Sequence, residues 1–71
     1  GEGDTARDLS QAVRWFQAGA RRGDAESMYV LGVMFLRGYA VEASQAQAIT
    51  WLQRAADAGY APASSVLSAM N

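Results

Sequence analysis

Apolar residues recur along this chain at helical spacing, in four stretches separated by glycine or by short polar segments. In the first, Leu9, Ala12, Val13, Phe16 and Ala20 follow an i, i+3, i+4 rhythm that gathers them on one helical face. Asp8 opens this run with a carboxylate suited to the first unpaired N–H groups, and Gly23 closes it as a left-handed stop. Met28, Leu31, Gly32, Phe35 and Leu36 make a second stripe that ends near Gly38. Ser44 can cap a third, in which Ala48, Ile49, Leu52, Ala55 and Ala56 share a face and Gly59 is the stop. Pro62 fits the first turn of a last helix, where its missing N–H is no loss. The pattern predicts helices over 8–22, 25–37, 44–58 and 61–70, preceded by residues 1–7 as a flexible lead-in or the remnant of a cut from a longer chain.

The stretches are related by an internal repeat. A shift of 36 positions lays Trp15 on Trp51, the two tryptophans of the chain, and Gln11, Ala12, Gln17, Ala20 and Gly23 on Gln47, Ala48, Gln53, Ala56 and Gly59. It continues with Ala25, Val30, Leu31 and Met34 on Ala61, Val66, Leu67 and Met70. Abundant alanine could produce some of these matches by chance, but not tryptophan, glycine, leucine and methionine in one register. Periods in this range mark helical solenoids, in which each helix pair buries its faces against its neighbours. The expected fold is therefore all-α, an αα-hairpin superhelix of four antiparallel helices. Ala12, Ala20, Gly32, Ala48, Ala55 and Ala56 let backbones approach, and Trp15, Phe16, Phe35 and Trp51 are expected to fill the space beside them. Gly19 departs from its counterpart Ala55 and costs a helix about 0.5–1 kcal/mol, so either a large side chain packs onto it or that helix is simply weaker.

The string Leu31-Gly32-Val33-Met34-Phe35, followed by Gly38, Val41, Ser44, Ala48, Trp51, Ala55-Ala56, Gly59 and Ala63, resembles the Sel1-like repeat. Its order and spacing match that family's pattern and differ from tetratricopeptide repeats, which have a shorter period and lack the Gly-Val loop. Ala40 replaces the second loop glycine, Phe35 a tyrosine and Ser44 the usual Asp, while Gly19 and Ser27 stand where alanine is expected. The chain is out of phase with the family unit, starting on a second helix and ending on a first. The resemblance implies a right-handed superhelix whose concave side binds proteins. It also implies an adaptor in bacterial signalling or membrane-associated complexes, with periplasmic or membrane-linked locations favoured over the cytoplasm.

Composition narrows the chemistry. The chain has 71 residues, a net charge of −1 and neither cysteine nor histidine; every basic residue is arginine, which together with the alanine excess suggests a GC-rich bacterial source. Near-neutral charge disfavours a polyanion partner, and the run Tyr29 to Leu36 is too short for a bilayer. Without His, Cys or Lys, the commonest bases, nucleophiles and metal ligands are missing, so no enzyme, cofactor or metal is expected. Some members of the resembled family are linked to β-lactamase activity, but the Ser-x-x-Lys arrangement of that chemistry needs a lysine. Asp24 and Glu26 read as acids favoured by a helix N-terminus.

Two surfaces remain as partner sites. Beside the core stripe of the second helix stand Glu26, Tyr29, Val33, Leu36 and Arg37, where a protein or peptide segment would lie. Arg7, Arg14 and Arg21 recur every seven residues, with Arg22 beside them, as a strip for an acidic partner; no aromatic side chain is expected among them, which disfavours nucleic acid. In the last helix Ser64, Ser68 and Asn71 replace Met28, Gly32 and Phe35, so it reads as a polar end cap. The competing function is a homodimer formed through open solenoid ends.

Overall fold

The computed structural model describes residues 2–70, with side chains from Ser10 to Met70. Four helices follow one another, α1 (Glu2–Arg21), α2 (Ala25–Arg37), α3 (Gln45–Asp57) and α4 (Ala61–Met70). Each packs on the next, and α2 against α3 is the most extensive of the three contacts. Among the described residues there is no strand, and this helix-on-helix order is the all-α hairpin repeat that the periodicity dictates.

The turns show why the repeat holds. Gly23 and Gly59 take φ values of 92° and 93°, which glycine adopts without steric cost. Beyond them the Asp24 N–H donates to the Gly19 carbonyl and the Tyr60 N–H to the Ala55 carbonyl, both at 3.0 Å. The two copies thus stop their first helices by the same bonds, 36 residues apart. Ser44 caps α3, accepting from the Gln47 N–H at 3.3 Å, and its own N–H donates to the Phe35 carbonyl at 2.9 Å, pinning the loop to α2.

The first helix differs from expectation. It begins at Glu2, so Asp8 is inside it and does not serve as its N-cap. The 36-residue shift lays 2–8 over 38–44, the loop of the second copy. That loop turns through left-handed backbone at Gly38 and Ala40, with φ of 75° and 58°. Their counterparts are Glu2 and Asp4, and with no glycine at the first of these positions the segment runs on as helix. Gly1, Asn71 and the side chains of 1–9, Leu9 and Arg7 among them, lie outside the described set.

Ala40 answers what its departure from the family pattern does: the backbone keeps the glycine conformation and the side chain bears the cost. An L-residue in that region loses about 1–2 kcal/mol, and Ala40 is exposed, with no burial to compensate. Ala40→Gly is therefore expected to raise stability by about 1 kcal/mol, read as a higher urea midpoint with unchanged slope. A lower midpoint would show that the alanine holds the loop by some other means.

Among the described residues two apolar clusters form the core. Val13, Ala20, Leu31, Met34, Phe35 and Ala48 make the first, drawn from α1, α2 and α3. Leu52, Ala55 and Ala63 make the second between α3 and α4, and Met28 packs against both. Leu31, Ala48, Leu52, Ala55 and Ala63 are completely buried.

Candidate functional site

The stripe on α2 is not one exposed patch. Its ends, Glu26 and Arg37, are exposed, while Tyr29, Val33 and Leu36 are half-buried. Tyr29 and Val33 pack on the second cluster and Leu36 on the first. Tyr29 also meets Tyr60, which lies just ahead of α4, with ring centroids 5.2 Å apart and planes tilted by 48°. That spacing is a favourable aromatic contact. The surface is an aromatic ledge, half sunk into the core, between an acidic and a basic end.

On α1, Arg14, Arg21 and Arg22 are exposed; Arg7 belongs to the undescribed side chains. Trp15, expected to fill core space, is instead 80% exposed. It follows Arg14 in the sequence, about 100° round the helix from the line of Arg14 and Arg21. Its counterpart Trp51 packs on the first cluster, with the Arg54 guanidinium 5.1 Å from its ring centroid. Equal residues have unequal surroundings because α2 packs on α3, whereas the main packing of α1 is with α2 on its other side. Tyr39, 52% exposed in the loop after α2, is a further aromatic that the periodicity gave no reason to single out.

Asp24 and Glu26 do not form a working carboxylate pair. The Asp24 carboxylate accepts from the Ser27 hydroxyl at 2.6 Å and makes no side-chain cap bond to α2. Ser27 is buried, and it explains Gly19. A Cβ on Gly19 would come within 2.9 Å of Ser27 Cβ and closer still to its hydroxyl. The residue packed onto Gly19 is thus small, which removes the first of the two alternatives, a large side chain. In the second copy Ala55 and Ala63 hold the same two positions, so the first has moved one heavy atom across the contact. Gly19→Ala alone is expected to cost about 1–2 kcal/mol. With Ser27→Ala it should cost less than about 0.5 kcal/mol, because the pair then copies Ala55 and Ala63. Chemical denaturation of both variants and of Ser27→Ala checks this; simple additivity would rule out steric exchange.

Among the described residues there is no group of three or more potential metal ligands, and no helix is long and apolar enough to cross a membrane. The Sel1 repeat model matches residues 1–24 and again 25–60, together most of the chain. The chain belongs to the Sel1 repeat family. Sel1 repeats are in general protein–protein interaction modules and typically not enzymes. The second Sel1 match opens on the first residue of α2 and closes after the Gly59 stop, so one family unit is the pair α2 and α3. No curated protein and no solved structure matches the chain.

Proposed function

We propose that this Sel1 repeat is a non-enzymatic adaptor module that holds a partner protein segment along α2, over Tyr29, Val33 and Leu36 and between Glu26 and Arg37. The observation that supports it best is the Tyr29–Tyr60 contact. It presents aromatic surface that is already ordered, and ordering a side chain on binding would otherwise cost about 0.5–1.5 kcal/mol. Glu26 and Arg37 stand about three turns apart with opposite charge, which gives a bound segment a direction.

Peptides selected from a random library against the wild-type chain provide the test. Those that bind α2 should be lost on the double reversal Glu26→Arg and Arg37→Glu, which touches only exposed side chains, and kept on Arg14→Glu. The opposite pattern would move the binding surface to α1. Tyr29→Ala is a poorer first variant, since Tyr29 also packs on the core. Self-association through a solenoid end has its own supporting observation in the exposure of Trp15. Light scattering across a concentration series tests it, with a persistent monomer counting against it.

A further inference from the structure

Charge is unevenly spread along α1. Its acids, Glu2, Asp4 and Asp8, all lie in the first half of the helix, and no acid stands from Leu9 to Gly23. Arg14, Arg21 and Arg22, three of the six arginines of the chain, fall in that acid-free stretch, and all are exposed. The next acid, Asp24, is held by the Ser27 hydroxyl of α2. A chain of net charge −1 thus carries a local surplus of three positive charges on one helix. The macrodipole favours a cation in the last turn of a helix, which accounts for Arg21 and Arg22 but not for Arg14, about two turns earlier.

Trp15 belongs to the same surface. The Arg22 N–H donates to the Ala18 carbonyl at 3.2 Å, which carries the helical course one residue past Arg21. At about 100° per residue, Arg22 stands two turns beyond Trp15 and only about 20° round from it. Gln11 and Ala18, both exposed, lie between Trp15 and the line of Arg14 and Arg21. In the second copy Arg54 covers the Trp51 ring, but its counterpart Ala18 is too short to cover Trp15, which is 80% exposed. A protein partner would have to bring a pocket shaped for this indole. The boundary of a bilayer needs none: it takes an indole at the level of the headgroups, while arginine stems lie along the surface and their guanidinium groups meet lipid phosphates. Among the described residues no helix is long and apolar enough to cross a membrane, so such a contact lies on the surface and does not span it. We infer that the face of α1 formed by Trp15 with Arg14, Arg21 and Arg22 docks on the surface of an anionic lipid bilayer. Trp15 enters the headgroup region and the three arginines rest on the phosphates. This face is on a different helix from the α2 stripe proposed above, and either can fail without the other.

The test uses the 71-residue chain and vesicles of phosphatidylcholine, alone or with about one-third phosphatidylglycerol. Expected is co-sedimentation with the mixed vesicles only, lost at high salt. Arg14→Gln should weaken it about fivefold, and Arg14→Gln with Arg21→Gln about 25-fold. Trp15→Ala removes an exposed side chain and leaves the core intact, so it should fold as wild type while weakening vesicle binding about tenfold. In a Trp51→Phe chain, with Trp15 the sole tryptophan, emission should shift to the blue and be quenched by brominated lipid. If that variant loses its helical signal, the Trp15→Ala comparison by sedimentation still decides. Equal binding to both vesicles would overturn the inference, as would binding that Trp15→Ala leaves unchanged. The same blue shift with soluble polyglutamate would give the face to an acidic protein and overturn it as well.

Discussion

Leu52→Ala is expected to cost about 3–4 kcal/mol, close to the full stability of a domain of this size. Leu52 is completely buried and anchors the second cluster between α3 and α4. It also receives the close approach of Gly32 from α2. Truncating a buried leucine removes its transfer free energy and leaves a cavity, in all about 2–5 kcal/mol. The upper half of that range applies because the neighbours cannot collapse inward: Ala55 and Ala63 are short, and helical backbone lies behind them. At about 0.05–0.15 kcal/mol per residue, a chain of this length has about 4–10 kcal/mol to lose. The damage should also be local. In a linear array each helix leans on its neighbours, and α4 has Ala63 as its only buried side chain among the described residues. Hydrogen exchange should therefore show amides 61–70 losing protection first, with 10–20 retaining more. Urea unfolding followed by circular dichroism gives the magnitude. A loss below about 1 kcal/mol would mean that the second cluster does not hold α4.

How much of this was legible beforehand follows from what periodicity encodes. Spacing of apolar residues fixes which face of a helix is buried, so α2, α3 and α4, the Ser44 cap and the glycine stops could be read from residue types. It does not encode which neighbour covers that face. Trp15 and Trp51 match in the repeat, but only Trp51 packs on the first cluster, while Trp15 stands on a part of α1 that α2 does not reach. The start of α1 was missed for a related reason. Asp8 has the residue type of a cap, which makes 1–7 read as a lead-in, although Glu2 stands where Gly38 turns the loop of the second copy. Gly19 and Ser27 each depart from alanine, and only their contact shows that the two departures belong together. Their eight-residue separation spans the turn, and complementary changes in volume were the signal. As for the partner surface, sequence placed Glu26, Tyr29, Val33, Leu36 and Arg37 on one side of α2. It could not show that Tyr60 would come up against Tyr29, because that contact depends on how α4 enters.

Gly32→Val should be nearly as damaging as Leu52→Ala, at about 3 kcal/mol, for the opposite reason. Glycine within a helix costs about 0.5–1 kcal/mol relative to alanine, so intrinsic propensity alone would favour substitution. No space allows it. A Cβ at Gly32 would lie 2.7 Å from Leu52 Cγ, 3.0 Å from Leu52 Cδ2 and 3.2 Å from the Ala48 carbonyl oxygen. The first two atoms belong to a completely buried side chain and the third to helical backbone, so α2 would have to lift from α3 along their whole contact. Overpacking of this kind costs about 1–3 kcal/mol, and a β-branched residue belongs at the upper end. Ser68, the counterpart of Gly32 on α4, is exposed, so Ser68→Val should change stability by less than about 0.5 kcal/mol. The decisive measurement is the double variant. If the two residues compete for one volume, Leu52→Ala opens room for the new valine, and the pair should cost less than the summed single losses by at least about 1 kcal/mol. Additive losses would mean that Gly32 is needed for its backbone and not for closeness, and the α2–α3 register would then have to be held elsewhere.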